Sequence, residues 1–187
     1  TNFCGSELNV LERYYEAARF FKFDYIIRLT GDCPFIDPHV SSEVLQLLLW
    51  RKCDYTSNIF PKRTYPKGLD TEAFTMDALE VSYLYSKEIE KKIIEVEAQI
   101  TTSSKSDKLI NISFKEDRQD KLASDLDYLK EHVTPFMQQH PEIKRAQVSQ
   151  TLNQSQKNWC VDEPHDIPRL EKLLQKQQIK LKASNDE

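Results

Sequence analysis

Glycine is scarce in this sequence, with three residues in 187. The place of each is therefore informative, and Gly31 falls where an apolar run is ending. Cysteine is sparse and irregularly spaced. Cys4, Cys33, Cys53 and Cys160 contain no C-x-x-C pair, so neither a zinc ribbon nor a dithiol redox motif is suggested. No apolar run approaches the ~20 residues needed to cross a bilayer. The longest cluster, "VLQLLLW", fits a buried helix. No export signal opens the chain, so the expectation is reduced thiols and a cytoplasmic protein without a membrane partner. Positive charge is not in excess. The formal net charge is −4, which argues against a nucleic-acid partner. No internal repeat is found. What remains is the composition of a globular domain, 39% hydrophobic and 30% charged, in a chain long enough for a substantial core.

The periodicity predicts an α/β chain. "NVLERYYEAARFFK" carries apolar residues at Val10, Leu11, Tyr14, Tyr15 and Ala18, the face of a helix. "DYIIRLTGD" reads as a short buried strand. Asp37 then Pro38 start a helix, the acid as cap and the proline in the first turn. "CDYTSNIF" reads as the next strand, and this alternation predicts parallel pairs in one sheet. The prolines and Gly68 of "PKRTYPKG" make a loop, "TEAF" a strand, and Asp77 a cap for a long helix from Ala78. "TTSSKSDK" is a polar break, "LINISF" a predicted strand, and "KEDRQDK" a charged run. Together, about 90–121 reads as a variable, solvated insertion. "DYLKEHVTPFMQQHPE" is a helix begun or kinked by Pro135. "KRAQVSQ" and "KNWCVDE" read as strands, "IPRLEKLLQKQQIKLK" as a terminal amphipathic helix, and "ASNDE" as a frayed tail. A single domain over 1–187 is expected.

Asp32 follows a predicted buried strand, and Asp162 follows "WCV". In open α/β sheets ligands bind beyond the carboxyl ends of strands. Two carboxylates there could converge on a hard cation, for which Mg²⁺ with phosphate oxygens and water is the usual case. Helix capping is the competing explanation for each acid. Asp70 and Glu72 alternate with Thr71 beside Gly68 and could accept from sugar hydroxyls, or belong to a charged surface hairpin. His132 is a structural hydrogen-bonder or a catalyst. Arg28, inside a strand, requires a carboxylate or a ligand. Cys33 has no evident histidine partner to make it a nucleophile.

The segments "GSELNVLERYYEAA", "DYIIRLTGDCPFIDP", "DYTSN", "YPKGLDTEAF", "EHVTPF" and "VDEPHD" occur in one order. As a set they resemble the cytidylyltransferase family of the spore-coat polysaccharide biosynthesis type, related to the acylneuraminate and Kdo cytidylyltransferases. The resemblance implies the nucleotide-diphospho-sugar transferase fold, a three-layer α/β/α Rossmann-like, mainly parallel sheet. It also implies Mg²⁺-dependent transfer of a cytidylyl group from CTP to an acidic or amino sugar, giving a CMP-sugar and pyrophosphate, commonly by a homodimer. Asp32 and Asp162 match the metal-holding acids, and Arg28 a catalytic position near the nucleotide. Gly31, Asn58, Gly68, Asp70, Glu72 and His132 match substrate-binding positions. Family members begin with a strand and a basic loop of the type R-x-x-S-x-R-L-P-G-K that binds the triphosphate, and nothing like it occurs here. The expectation is a sheet lacking its first strands, in either a fragment of a longer enzyme or a diverged member. A catalytically silent sugar- or partner-binding remnant is the alternative. A metal-dependent glycosyltransferase of similar fold ranks last, because "GDCP" lacks a second Asp at Asp-x-Asp spacing.

Overall fold

The computed structural model describes residues 2–102 and 109–185. Among these it contains α1 (Val10–Phe21), β1 (Tyr25–Arg28), α2 (Pro38–Arg51), β2 (Tyr55–Ser57), β3 (Glu72–Thr75), α3 (Met76–Thr102), α4 (Leu109–His132), α5 (Pro135–Gln139), β4 (Arg145–Gln147) and α6 (Asp166–Asn185). The strands form one sheet in the order β1-β3-β2-β4. The fold is mixed α/β, as expected for the nucleotide-diphospho-sugar transferase architecture.

Local chemistry sets the helix ends. Asn9 caps α1 by accepting from the Glu12 N–H at 3.1 Å. Asp37 caps α2, accepting from the His39 N–H at 2.8 Å, with Pro38 in the first turn. Both helices stop at a lysine in the left-handed region, Lys22 at φ 56° and Lys52 at φ 50°. A glycine-poor chain thus places residues with a Cβ where glycine is usual. Val133, between α4 and α5, has φ 67°. For a β-branched residue this is a strained conformation, held by its complete burial.

The chain divides into two compact units. One comprises Thr1–Ile26, Cys53–Tyr55 and Phe74–Arg145; the other comprises Ile27–Lys52, Thr56–Ala73 and Ala146–Glu187. In the first, α3 packs on α1, α4 and α5. Its core includes Leu11, Phe74, Leu79, Val133 and Met137. Tyr15 stacks on Tyr83 at 4.1 Å and reaches Glu80 with its hydroxyl at 3.1 Å. In the second, Val40, Tyr65 and Leu69 form a buried cluster with Phe35, Val148 and Trp159 against it.

Several expectations are corrected. β1 is not a buried strand: Tyr25 and Ile27 on one of its faces are 51% and 39% exposed, and β1 stands at one end of the strand order. "LINISF" is the start of α4 rather than a strand. A short apolar run with no glycine or proline after it cannot be told from helix by periodicity. The variable region therefore belongs to α3 and α4, which pack together; 103–108, most of the polar break, lie outside the described residues. "KNWCVDE" forms no strand, only an isolated parallel bridge between Lys67 and Asn158. The Asn158 side chain takes the Cys160 N–H at 2.9 Å, which diverts it from a ladder. The cap of α3 is Thr75, whose hydroxyl accepts from the Ala78 N–H at 3.2 Å; Asp77 sits in the first turn. Pro135 begins a separate helix, and α6 runs on through Asn185.

Candidate active site

Three segments of the second unit meet through their backbones: the turn 30–36, the loop 63–72 and the segment 157–169. Cys33 N–H donates to Thr30 C=O at 3.2 Å, closing the turn after β1. Val161 N–H donates to Asp32 C=O at 2.8 Å. Lys67 N–H donates to Lys157 C=O at 2.9 Å and Trp159 N–H to Lys67 C=O at 2.8 Å. A Cβ on Gly68 would stand 2.6 Å from the Trp159 carbonyl carbon, and Gly68 has φ +98°. Glycine is needed there on both counts. Gly31 differs: among the described residues, its chain neighbours aside, nothing lies within 4 Å of its would-be Cβ.

The two acids expected to hold metal sit in segments joined by that Val161–Asp32 bond. Asp32 is half-buried, and among the described residues its carboxylate takes only a weak contact from Cys33 Sγ, at 3.6 Å. Asp162 is exposed. Neither is paired with a cation among the described residues. Carboxylate oxygens free of protein cations, Asp32 in the turn after β1 and Asp162 in a segment that forms no strand, are donors of the kind a hard ion such as Mg²⁺ takes.

The remaining expected residues are committed to the protein. Arg28 pairs with Glu72 at 2.7 Å, and Glu72 is 2% exposed. Asp70 is held by both arms of Arg63, at 2.5 Å and 2.8 Å, and this pairing holds the Arg63 guanidinium in its charged form. Asp70 and Glu72 thus serve different arginines. Asn58 is fully buried. Its amide nitrogen donates to Leu69 C=O at 2.6 Å and its oxygen accepts from Thr71 N–H at 2.9 Å. His132 belongs to the other unit, at the end of α4 with its ring 4.5 Å from that of Tyr128.

Sequence reasoning missed Asp166 and Arg169. Asp166 Oδ2 accepts from the N–H groups of Asp162 and Glu163, each at 3.0 Å. Arg169 binds Asp166 Oδ1 at 2.7 Å, the Cys160 carbonyl at 3.1 Å and the Asn158 carbonyl. The Arg169 bond, then the two backbone donors, hold the Asp166 carboxyl down to about 2. This latch fixes the segment that carries Asp162. Its visible signal was the last acid of "VDEPHD", three residues before an arginine.

Beside these segments is an apolar cleft of about 300 Å³ lined by Phe35, Ile36, Leu69, Trp159 and Leu174 among others. A larger cavity, about 480 Å³, lies in the first unit between Tyr85, Tyr128, Phe136 and His140. None of the expected site residues lines it, so volume alone does not locate the chemistry.

The profile of the Cytidylyltransferase family matches residues 1–185. The chain belongs to the cytidylyltransferase family. Over 178 residues it is 27% identical to the spore coat polysaccharide biosynthesis protein SpsF of Bacillus subtilis, covering 93% of this chain and 57% of that protein. An uncharacterized protein of Methanocaldococcus jannaschii, MJ1063, is 38% identical over 86 residues, 46% of this chain and 34% of the relative. A cytidylyltransferase structure from Leptospira borgpetersenii superposes with a TM-score of 0.60 at 24% identity, covering 86% of this chain and 52% of that one; this likeness shows the fold. The chain thus spans 57% or less of the length of these relatives. No helix among its described residues is long and apolar enough to cross a membrane.

Proposed function

We propose that this chain contributes the metal- and sugar-side portion of a sugar cytidylyltransferase. The reaction joins CTP and an acidic or amino sugar into a CMP-sugar and releases pyrophosphate, for surface polysaccharide or glycan synthesis. The observation that carries the proposal is the Val161–Asp32 backbone bond of 2.8 Å, which brings together two segments whose acids are free of protein cations. In this reading a sugar oxygen attacks the α-phosphorus while the bond to pyrophosphate breaks. Such chemistry depends on positioning and charge neutralisation rather than on a protein nucleophile. Asp32 and Asp162 would hold Mg²⁺, which when bound neutralises the phosphate oxygens and the leaving pyrophosphate.

The chain's other residues orient. Arg28 and Glu72 tie the end of β1, from which the Asp32 turn departs, to β3. Asp166 and Arg169 hold the segment bearing Asp162. The open space at Gly31 supports close approach of a phosphate, since among the described residues none beyond its chain neighbours reaches it. A homodimeric state belongs to the same proposal. A second reading, a silent binding remnant, is favoured by one observation: Asp70 and Glu72 are spent on arginines.

Pyrophosphate release by the intact protein separates the two. With Mg²⁺ and a panel of acidic and amino sugars, release should occur with CTP and be far weaker with ATP, GTP or UTP. Sugar binding without release from any nucleotide would favour the silent module.

A further inference from the structure

Cys33 and Cys160 lie 127 positions apart, yet their sulfurs are 3.9 Å from each other. Asp32 Oδ1 is 3.6 Å from Cys33 Sγ. One donor atom from each of Asp32, Cys33 and Cys160 falls within 4.8 Å of the others. Zinc binds thiolate sulfur at about 2.3 Å and carboxylate oxygen at about 2.0–2.2 Å in a tetrahedron. Two sulfurs on one such ion are therefore about 3.8 Å apart, and a sulfur and an oxygen about 3.5 Å. The observed spacings of 3.9 and 3.6 Å already fit.

We infer that Asp32, Cys33 and Cys160 form a binding site for one thiophilic divalent cation of the zinc and cadmium class, with the fourth position left to water. The support around the donors is built. Cys33 Sγ lies 3.1 Å from Thr30 Oγ1. The backbone of Cys160 is held at its N–H by Asn158 and at its carbonyl by Arg169. Both cysteines are buried while Asp32 is half-buried, so the cluster has an outward side. Binding is a substitution without redox change: the six-water dication releases five waters and keeps one, each thiol loses its proton to solvent, and the carboxylate binds as it stands.

Mg²⁺ does not seek thiolates, so a hard cation uses Asp32 and ignores the sulfurs. A soft cation would take Asp32 out of use. That inhibitory consequence rests on the cytidylyl-transfer reading; the binding itself does not.

The test is a direct titration of the full chain with cadmium, without nucleotide, under a phosphine reductant. The readouts are ultraviolet thiolate-to-cadmium absorption and released protons. The wild type should bind one cadmium with the absorption band and two protons released. Cys33→Ser and Cys160→Ser should each weaken binding by ~100-fold or more, while Cys4→Ser and Cys53→Ser leave it unchanged. Asp32→Asn, at a half-buried position that does not threaten folding, should keep the band and weaken binding by ~10-fold. Metal-free thermal unfolding identifies any serine variant that does not fold, and for such a variant Asp32→Asn decides. Wild-type binding in folded Cys33→Ser and Cys160→Ser, unchanged affinity in Asp32→Asn, or a band that depends on Cys4 or Cys53 would overturn the assignment. Cytidylyl transfer could fail entirely and leave these outcomes untouched.

Discussion

Replacing Asn58 separates a substrate contact from a structural clamp. The side chain is fully buried and spends both ends of its amide on the backbone, at Leu69 C=O and Thr71 N–H. Asn58→Ala strands one acceptor and one donor away from water. Each unsatisfied group costs about 1–3 kcal/mol, so the pair costs about 2–6 kcal/mol before any cavity is counted. Against a typical stability of about 5–15 kcal/mol, that is a large fraction. Asn58→Asp is the sharper variant. It keeps an acceptor for Thr71 but sets a second acceptor against the Leu69 oxygen and buries a charge. A carboxyl in that place has a folded pKa above its unfolded value of about 4. It favours folding most below the unfolded pKa and loses that contribution as pH rises through the folded one. The deficit of Asn58→Asp should therefore shrink as pH falls from 8 toward about 4. Urea unfolding of wild type and both variants across that range measures it. An Asn58→Ala cost under about 0.5 kcal/mol, or a pH-independent Asn58→Asp deficit, would refute the clamp and return Asn58 to substrate binding.

The two site glycines should behave oppositely. Gly68→Ala meets the Trp159 carbonyl carbon at 2.6 Å with φ at +98° and should lose at least about 2 kcal/mol of stability in urea. Gly31→Ala should stay within about 0.5 kcal/mol of wild type yet raise KM for CTP, if the open space serves a phosphate. The Asp166 carboxyl, ordinarily 3.8 and held to about 2, contributes stability that is present above pH 3.8 and lost as pH falls toward 2. Thermal unfolding across that range should show this acid loss in wild type and less of it in Arg169→Met. For Arg28 and Glu72, a double-mutant cycle with Arg28→Met and Glu72→Gln should give about 1–3 kcal/mol of coupling; strict additivity would show that the ion pair contributes nothing.

The helices with capping chemistry were legible in the sequence. Asp37 and Pro38 start α2 where their residue types require, and the periodicity of α1 matches its buried face. The strand at "DYIIRL" was also legible, but not its exposure, because that depends on which segments of the fold cover it. "LINISF" and "KNWCVDE" misled because short apolar runs carry no period of their own. The former runs on into the charged residues that follow it as one helix; the latter is diverted by the Asn158 side chain. The acids Asp32 and Asp162 were visible as residues beside turn signals. The backbone bond that joins their segments was not, since it links stretches far apart in the chain. The partner of Glu72, 44 positions away, was hidden for the same reason; those of Asp70 and Asn58 are only 7 to 13 positions away and depend on how that one loop folds. An acceptor that looks ready for a sugar hydroxyl is, in the fold, held by an arginine or a peptide group. The Cys33–Cys160 pair leaves no spacing signature at all.

The most direct measurement is Mg²⁺-dependent pyrophosphate release from CTP by the intact protein and its Asp32→Asn and Asp162→Asn variants, alongside their thermal unfolding. If these acids hold the ion, each variant should fold as the wild type does and lose about 100-fold or more in kcat/KM. Wild-type turnover with an unchanged Mg²⁺ requirement in both variants would contradict it.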